Sequence, residues 1–103
     1  MNSGQRRCSR RVVYYSEATV EGLDVGRTEV RVSDLSLSGA FIDSRTVLPP
    51  GTESKLTFRV RDREIQVTIA VRYAIPEIGM GVRFLNLGPE DCALIEDVVK
   101  AQG

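Results

Sequence analysis

The stretch that decides the fold is residues 55–73, which read KLTFRVRDREIQVTIAVRY. Apolar side chains occupy every second position on both sides of the polar sequence RDRE at residues 61–64. Such alternation is typical of half-buried β-strands, and a polar tip between two of them is typical of a hairpin. We therefore expect antiparallel strands at residues 55–61 and 64–73. Their apolar faces are predicted to consist of Leu56, Phe58, Val60, Ile65, Val67, Ile69, Val71 and Tyr73.

Further short strands are predicted on both sides of this hairpin, separated by segments rich in glycine and proline. They are expected at residues 12–21, 27–35, 40–42 and 79–85. In these strands the inward side chains are predicted to include Val30, Val32, Met80, Val82 and Phe84. Several short strands at this spacing indicate an antiparallel barrel or sandwich, and therefore an all-β dominated fold.

One helix is expected after the last strand. Pro89 suits a first helical position, and Glu90 and Asp91 follow in the first turn, where the helix dipole favours negative charge. Four apolar residues then recur at helical spacing, namely Leu94, Ile95, Val98 and Val99. We expect this helix to cover an open end of the barrel, with its carboxylates on a solvated face.

The composition sets broad limits on what the protein is. Its 103 residues suffice for one domain with a single core. No apolar run approaches the ~20 residues that span a bilayer, and no secretory signal is recognisable, so a cytoplasmic location without membrane insertion is expected. Cys8 and Cys92 are too far apart in sequence for a zinc or C-x-x-C pair. We interpret both as free thiols and expect no metal and no cofactor.

Catalysis is not expected. The sequence contains no histidine, which removes the commonest general base and the commonest metal ligand. A Ser-His-Asp or Cys-His arrangement therefore cannot be built, and no phosphate-binding G-x-x-x-x-G-K sequence occurs. We expect a binding protein and not an enzyme.

The formal net charge is zero, yet positive charge is concentrated near the start of the chain. We expect residues 1–11 to form a basic arm, mobile without a ligand, ahead of a domain at residues 12–103. Guanidinium groups match phosphate oxygens and the O6/N7 edge of guanine. The arginines of this arm are Arg6, Arg7, Arg10 and Arg11, so that Arg7 and Arg11 form an R-x-x-x-R motif, as do Arg6 and Arg10.

A second motif, D-x-S-x-x-G, is formed by Asp34, Ser36 and Gly39. Taken alone it is an ordinary Asx-type turn. A carboxylate only accepts hydrogen bonds, so Asp34 could receive the N1–H or N2–H of guanine, while Ser36 could donate to a phosphate or a base. Gly39 permits close approach of a ring or a positive φ. Together, the two motifs would recognise an anionic purine from two sides.

In this order, the two motifs resemble those of the PilZ domain family, in which they form the cyclic di-GMP signature. The sequence GMGVRFLNLGPED at residues 79–91 is similar to the family's G-x-G-V-x-F strand and the start of its helix. The resemblance extends over residues 6–99. It implies a six- or seven-stranded antiparallel β-barrel with a C-terminal capping α-helix, and cyclic di-GMP as a ligand.

The resemblance also implies which residues bind the ligand. The family's positions fall on Arg6, Arg7, Arg11, Asp34, Ser36 and Gly39, with Arg10 as an additional basic residue. Tyr73 lies on a strand that often forms a side wall for the ligand in this family. We therefore include Tyr73 as a candidate for stacking on a base. The alternative interpretation is an aromatic residue of the core or of the barrel rim.

The implied function is that of a cyclic di-GMP receptor or adaptor, either a monomer or a weak dimer. Its arm is expected to order over the ligand, and a partner protein would then read the new surface in trans. One alternative is a PilZ-type interaction adaptor that binds no nucleotide. A DNA- or RNA-binding barrel is disfavoured, because aromatic residues make up only 6% of the sequence and the densest cluster of arginines is confined to the arm.

Overall fold

The computed structural model describes residues 10–24 and 26–102, without the side chains of residues 22–29 and 102. The described chain forms six strands and one helix. The strands are β1 (Val12–Asp24), β2 (Gly26–Leu35), β3 (Gly39–Asp43), β4 (Glu53–Val60), β5 (Arg63–Ile75) and β6 (Gly79–Phe84), and the helix is α1 (Pro89–Gln102). All neighbouring strands are antiparallel and close into a barrel in the order β1-β2-β3-β6-β5-β4. The predicted fold is confirmed, and the arrangement is a barrel.

Both sequence motifs lead to one end of this barrel. Val12 at the start of β1 pairs with Leu35 at the end of β2, which pairs in turn with Ala40 of β3. In the β4–β5 turn, the backbone N–H of Arg61 donates to the hydroxyl of Tyr14 at 2.8 Å. The start of β1, the β2–β3 turn and the β4–β5 turn therefore lie together, and we call this the motif end.

The barrel interior is filled by the apolar faces that the alternation predicts. Its largest fully buried side chains include Phe58, Leu35, Ile42, Leu56, Ile65, Ile69 and Met80. Complete burial of a side chain of this size contributes about 1.5–3 kcal/mol, so these residues dominate the stability of the fold. No helix in residues 26–102 is long and apolar enough to cross a bilayer.

Helix α1 packs against this core through the stripe seen in the sequence. Ile95, Val98 and Val99 are buried within the barrel's hydrophobic cluster, and Leu94 is half-buried beside them. The helix therefore adds its apolar face to the barrel core, as predicted. Cys92, in the first turns of α1, is a free thiol, whereas Cys8 lies outside the described residues.

The acidic residues of α1 are not simply a solvated face. Arg63 at the start of β5 contacts Asp91 at 2.6 Å and Glu90 at 3.0 Å. The side chain of Asp91 is only 17% exposed. The hydrogen bond and charge of Asp91, followed by those of Glu90, raise the pKa of Arg63. These contacts correct the expectation of free solvated carboxylates, since they attach the helix to the β4–β5 turn.

Tyr73 departs from the inward face predicted for its strand. Val71 pairs with Val82, but the next aligned pair is Tyr73 with Gly81, so β5 contains an irregularity between them. An extra residue in one strand reverses the alternation beyond it. Ala74 consequently packs against the core, while Tyr73 is 45% exposed on the outer surface.

Candidate functional site

The contact between Arg11 and Asp34 joins the two sequence motifs. A guanidinium nitrogen, Nη1 of Arg11, lies 2.6 Å from Oδ1 of Asp34, and both side chains are partly exposed. The pairing of Val13 with Asp34 across β1 and β2 explains why residues 23 positions apart meet. The last arginine of the predicted arm therefore lies against the first residue of D-x-S-x-x-G.

Ser36 is not exposed as a hydrogen-bond donor at the surface, and its hydroxyl instead bonds the backbone of its own turn. Its side chain is fully buried, and its hydroxyl oxygen accepts hydrogen bonds from the backbone N–H groups of Ser38 and Gly39, each at 3.2 Å. The same hydroxyl lies 3.0 Å from that of Ser38 and 3.3 Å from the carbonyl oxygen of Gly39. Ser36 thus stabilises the β2–β3 turn from within and places Asp34 at its edge.

Gly39 is required by strand packing. A Cβ built on it would lie 2.0 Å from the carbonyl oxygen of Val82 on β6. Its φ is not in the left-handed region, which Gly51 alone adopts among the described glycines. The predicted positive φ at Gly39 is therefore wrong, and the predicted approach of a ligand ring stays a prediction. The group that approaches Gly39 is the backbone of β6.

One cross-strand row on the outer surface connects Asp34 with Tyr73. The row consists of Val13, Asp34, Phe41, Gly81 and Tyr73, each paired with the next across β1, β2, β3, β6 and β5. Directly opposite residues of antiparallel strands share a face. With strands about 4.8 Å apart, Asp34 and Tyr73 are separated by roughly 14 Å along the sheet.

Two aromatic rings cover the middle of this surface. The rings of Phe41 and Tyr73 have centroids 6.2 Å apart and an interplanar angle of 32°. A Cβ on Gly79 would lie 2.6 Å from the Phe41 ring, and one on Gly81 would lie 2.4 Å from the Tyr73 ring. The two glycines therefore let the rings lie flat on β6. We call Phe41 and Tyr73 the aromatic floor.

Phe41 was missed by the sequence reasoning. The available signal was the G-x-G at residues 79–81, because glycines at alternate positions of a strand mark places where another group approaches the backbone closely. Which aromatic residues approach could not be deduced without the pairing of β3, β6 and β5.

The structure gives little information about the contacts of the remaining predicted ligand-binding residues. Arg10 is exposed next to Arg11. Arg6 and Arg7 lie outside the described residues. No cluster of histidine, cysteine, aspartate or glutamate that could hold a metal ion occurs in the part of the chain that the structure describes.

The site has the chemistry to bind an anionic purine. Asp34 uses Oδ1 to accept from Arg11, while its Oδ2 makes no hydrogen bond to any described residue. That oxygen can accept the N1–H or N2–H of a guanine. Arg11 has further N–H groups for phosphate oxygens, and the aromatic floor offers a stacking surface.

The side chains of Arg11, Asp34 and Tyr73 at the candidate site are all partly exposed to solvent. A groove of about 570 Å³ lies elsewhere among the described residues, and its lining includes Glu17, Arg31, Asp43 and Arg59. Arg31 and Asp43 form an ion pair at 2.8 Å within it, and no candidate ligand-binding residue contributes to it. A ligand bound between Asp34 and Tyr73 would therefore need a second wall to exclude water.

Comparison with known families and sequences shows the family of this chain. The family model described as PilZ domain matches residues 5–101 of this chain. Among curated proteins, none matches the sequence.

Three solved structures resemble this fold. Bacillus subtilis inhibitor of motility, MotI/DgrA, has a TM-score of 0.77 at 14% identity, covering 88% of this chain and 48% of that one. The PilZ domain of CeSA from a cellulose-synthesizing bacterium has a TM-score of 0.63 at 14% identity, covering 88% and 95%. Borreliella burgdorferi PlzA, solved in complex with c-di-GMP, has a TM-score of 0.59 at 17% identity, covering 94% and 37%. The chain thus spans about half of MotI/DgrA, and these likenesses are of fold alone.

Proposed function

Since the chain belongs to the PilZ domain family, we propose that it is a non-catalytic receptor for cyclic di-GMP, bound on the outer surface of the motif end. The observation that carries this proposal is the 2.6 Å contact between Arg11 and Asp34, which unites the two motifs on one surface. The c-di-GMP complex of the similarly folded PlzA supports the choice of ligand.

Each part of the ligand has a chemical counterpart on this surface. Asp34 accepts from the Watson–Crick edge of one guanine through its free Oδ2, which gives preference for guanine over adenine. Arg10 and Arg11, with Arg6 and Arg7 upstream, bind phosphate oxygens and guanine acceptors. Ser36 and Gly39 act indirectly, because they hold the turn that presents Asp34.

The second guanine stacks on the aromatic floor. Tyr73 and Phe41 lie in the same row as Asp34, at a distance suited to a ligand with two bases. Stacking of a base on an aromatic side chain contributes about 1–3 kcal/mol. Hydrogen bonds to charged groups contribute about 1.5–3 kcal/mol each.

These contributions are sufficient for binding at signalling concentrations. A micromolar Kd corresponds to about −8 kcal/mol. Three or four charge-assisted hydrogen bonds and one stacked base together contribute about 5.5–15 kcal/mol, a range that includes this value, and the cost of ordering the chain around the ligand reduces that sum. Loss of one arginine would therefore weaken binding without abolishing it.

The remaining residues of the arm supply the missing wall. We infer that residues 1–10 fold over the bound dinucleotide, starting from the point at which Arg11 is already held by Asp34. The covered ligand and the arm then form a surface that a partner protein reads in trans in the cytoplasm. An order–disorder change of a segment is a common switching device in signalling proteins.

Calorimetric titration with cyclic di-GMP tests the proposal, using the variants Asp34→Asn and Asp43→Asn. Asp43 is a matched control, because it also forms an exposed cross-strand ion pair with an arginine, Arg31, at 2.8 Å. Asp34→Asn is expected to weaken binding by about tenfold or more, since it loses a charge-assisted contact, while Asp43→Asn binds like the parent. Absence of binding by the parent would contradict the proposal and favour an adaptor that does not bind nucleotide.

A further inference from the structure

Arg83 is a cation on the same outer surface that neither motif includes. Met80 and Val82 point into the core, so the alternation of β6 places Arg83 on the outer face together with Gly79 and Gly81. Its side chain is exposed. It forms no ion pair or hydrogen bond through its side chain with any residue in the described ranges. The guanidinium is therefore available for a ligand.

The pairing of β6 places Arg83 between the two ends of the candidate site. It is directly opposite Gly39 of the D-x-S-x-x-G turn on one side and opposite Ala70 of β5 on the other. Asp34 and Tyr73 both lie in the neighbouring row. Asp34, on β2, is two strands away from Arg83, and Tyr73, on β5, is one strand away. A ligand that extends from Asp34 to Tyr73 must cross β3 and β6 beside Arg83.

The charge of the surface suits the centre of the ligand. In a cyclic dinucleotide the two bases lie at opposite ends, and the ring with its two phosphodiesters lies between them. Asp34 is the acidic residue of the row that leads to Tyr73, and its charge is already met by Arg11, whereas Arg83 in the neighbouring row forms no ion pair with any described residue. An unpaired guanidinium at the middle of the surface thus meets the anionic part of the ligand.

Resting on the proposed function, we infer that Arg83 binds a phosphate of the cyclic dinucleotide and is a cation that the barrel itself, and not the arm, contributes to the site. The guanidinium fork donates two hydrogen bonds to phosphate oxygens. Arg83 lies on a strand, so this cation is in place before any arm residue closes over the ligand. The close approach of Gly39 to the β6 backbone holds the two strands, and therefore Arg83 and Asp34, in register.

The inference is tested by calorimetric titration of the full chain with cyclic di-GMP, using Arg83→Ala and Arg83→Lys. Arg83→Ala is expected to weaken binding about ten- to a hundredfold, and its affinity should decrease less steeply with added salt than that of the parent. Arg83→Lys retains the charge but loses the fork, so it should bind with intermediate affinity. The ³¹P resonance of the bound ligand should shift in Arg83→Ala relative to the parent complex.

Arg45→Ala is the matched control. Arg45 is an exposed arginine after β3, at the barrel end opposite the motif end, so its replacement changes the net charge equally without touching the site. A circular dichroism melt of each variant verifies that it is folded. Parent-like binding by folded Arg83→Ala, or equal weakening by Arg45→Ala, would overturn the role of Arg83 and leave the proposed function intact. Failure of the parent to bind would overturn both.

Discussion

Gly39 illustrates how much a single residue decides at the motif end. The hydroxyl of Ser36 stabilises the D-x-S-x-x-G turn by a hydrogen bond with the turn's backbone. Gly39, at the start of β3, has no Cβ, and this allows β3 to approach Val82 of β6 closely. These two residues determine where Asp34 is placed relative to β6. Their proposed importance for binding is therefore positional, whereas Asp34 and the arginines are proposed to contact the ligand directly.

We expect Gly39→Ala to destabilise the fold. The added Cβ would lie 2.0 Å from the carbonyl oxygen of Val82, a rigid backbone atom, so β3 and β6 must separate. Overpacking of this kind costs about 1–3 kcal/mol. The free energy of unfolding in urea measures the effect.

The control for this prediction is Gly88→Ala. A Cβ on Gly88 meets no atom within 4 Å, and its φ is not in the left-handed region. Its free energy of unfolding should remain within about 0.5 kcal/mol of the parent value. Equal urea midpoints for the two alanine variants would contradict the assignment of Gly39 to close strand packing.

Tyr73 is predicted to contribute to binding through its ring. Tyr73→Ala should weaken cyclic di-GMP binding about five- to a hundredfold, because one stacked base loses its partner. Tyr73→Phe retains the ring and should bind nearly as well as the parent. Fluorescence or calorimetric titration of both variants distinguishes a stacking role from a hydroxyl contact, which would make the phenylalanine variant as weak as the alanine variant.

At the scale of whole elements, two features shape the site. The irregularity in β5 after Val71 turns Tyr73 from the core to the outer surface, where its ring covers Gly81. The β4–β5 turn holds α1 through the contacts of Arg63 with Asp91 and Glu90. The first feature creates part of the proposed binding surface, and the second attaches the helix whose apolar face packs on the core.

The Arg63 contacts predict a stability difference with a specific pH dependence. Asp91 and Glu90 raise the pKa of Arg63 in the folded protein. The stability that the charged Arg63 contributes is therefore fully present below its ordinary pKa, and it is lost only as the pH rises through the raised pKa. The melting temperature of Arg63→Gln should therefore be lower than that of the parent by a constant amount between about pH 6 and 10. Lys100→Gln, which removes only an exposed contact to Glu96 on the same helix, is the control.

A parent–variant difference that disappears toward pH 10 would contradict this assignment. It would mean that a group titrating well below arginine carries the attachment of the helix. A melting temperature of Arg63→Gln equal to that of Lys100→Gln would show that α1 is held in place without Arg63, by the apolar burial of Ile95, Val98 and Val99 and by the ion pair of Arg61 with Asp97 at 3.2 Å.

At the scale of the whole molecule, the barrel has a closely packed core, and the proposed binding surface lies on its outside. Its core and helix form one hydrophobic cluster, and none of the described candidate residues belongs to that cluster, although Ser36 and Gly39 are buried. Ligand binding therefore does not require the core to rearrange. The change on binding is expected at the arm, which agrees with signalling through a newly formed surface.

Binding should accordingly stabilise the whole barrel by mass action. Cyclic di-GMP at about 100 times its Kd adds about 2.7 kcal/mol, which raises the melting temperature of a domain this size by roughly 10–20 °C. The variant Arg6→Ala/Arg7→Ala should melt like the parent without ligand and show a clearly smaller rise with it. A rise as large as the parent's would contradict a role of those arginines in binding.

The sequence alone predicted the strands and the helix, because alternation and helical spacing are local properties of the chain. Residues 55–73 were recognised as a hairpin, and Ile95, Val98 and Val99 as the buried stripe of α1, without any knowledge of their partners. The motifs likewise indicated Arg11 and Asp34 as parts of one site, because the charge and the hydrogen-bonding capacity of a side chain follow from its residue type.

Only the tertiary structure decided which side chains meet and in which direction they point. The direction of Tyr73 depends on an irregularity opposite Gly81, and the clash that excludes a Cβ at Gly39 involves a strand more than 40 residues away. The positions of Phe41 and Arg83 on the same surface follow from the pairing of β3, β6 and β5. Strand register is a relation between distant segments, so no local pattern in the sequence can specify it.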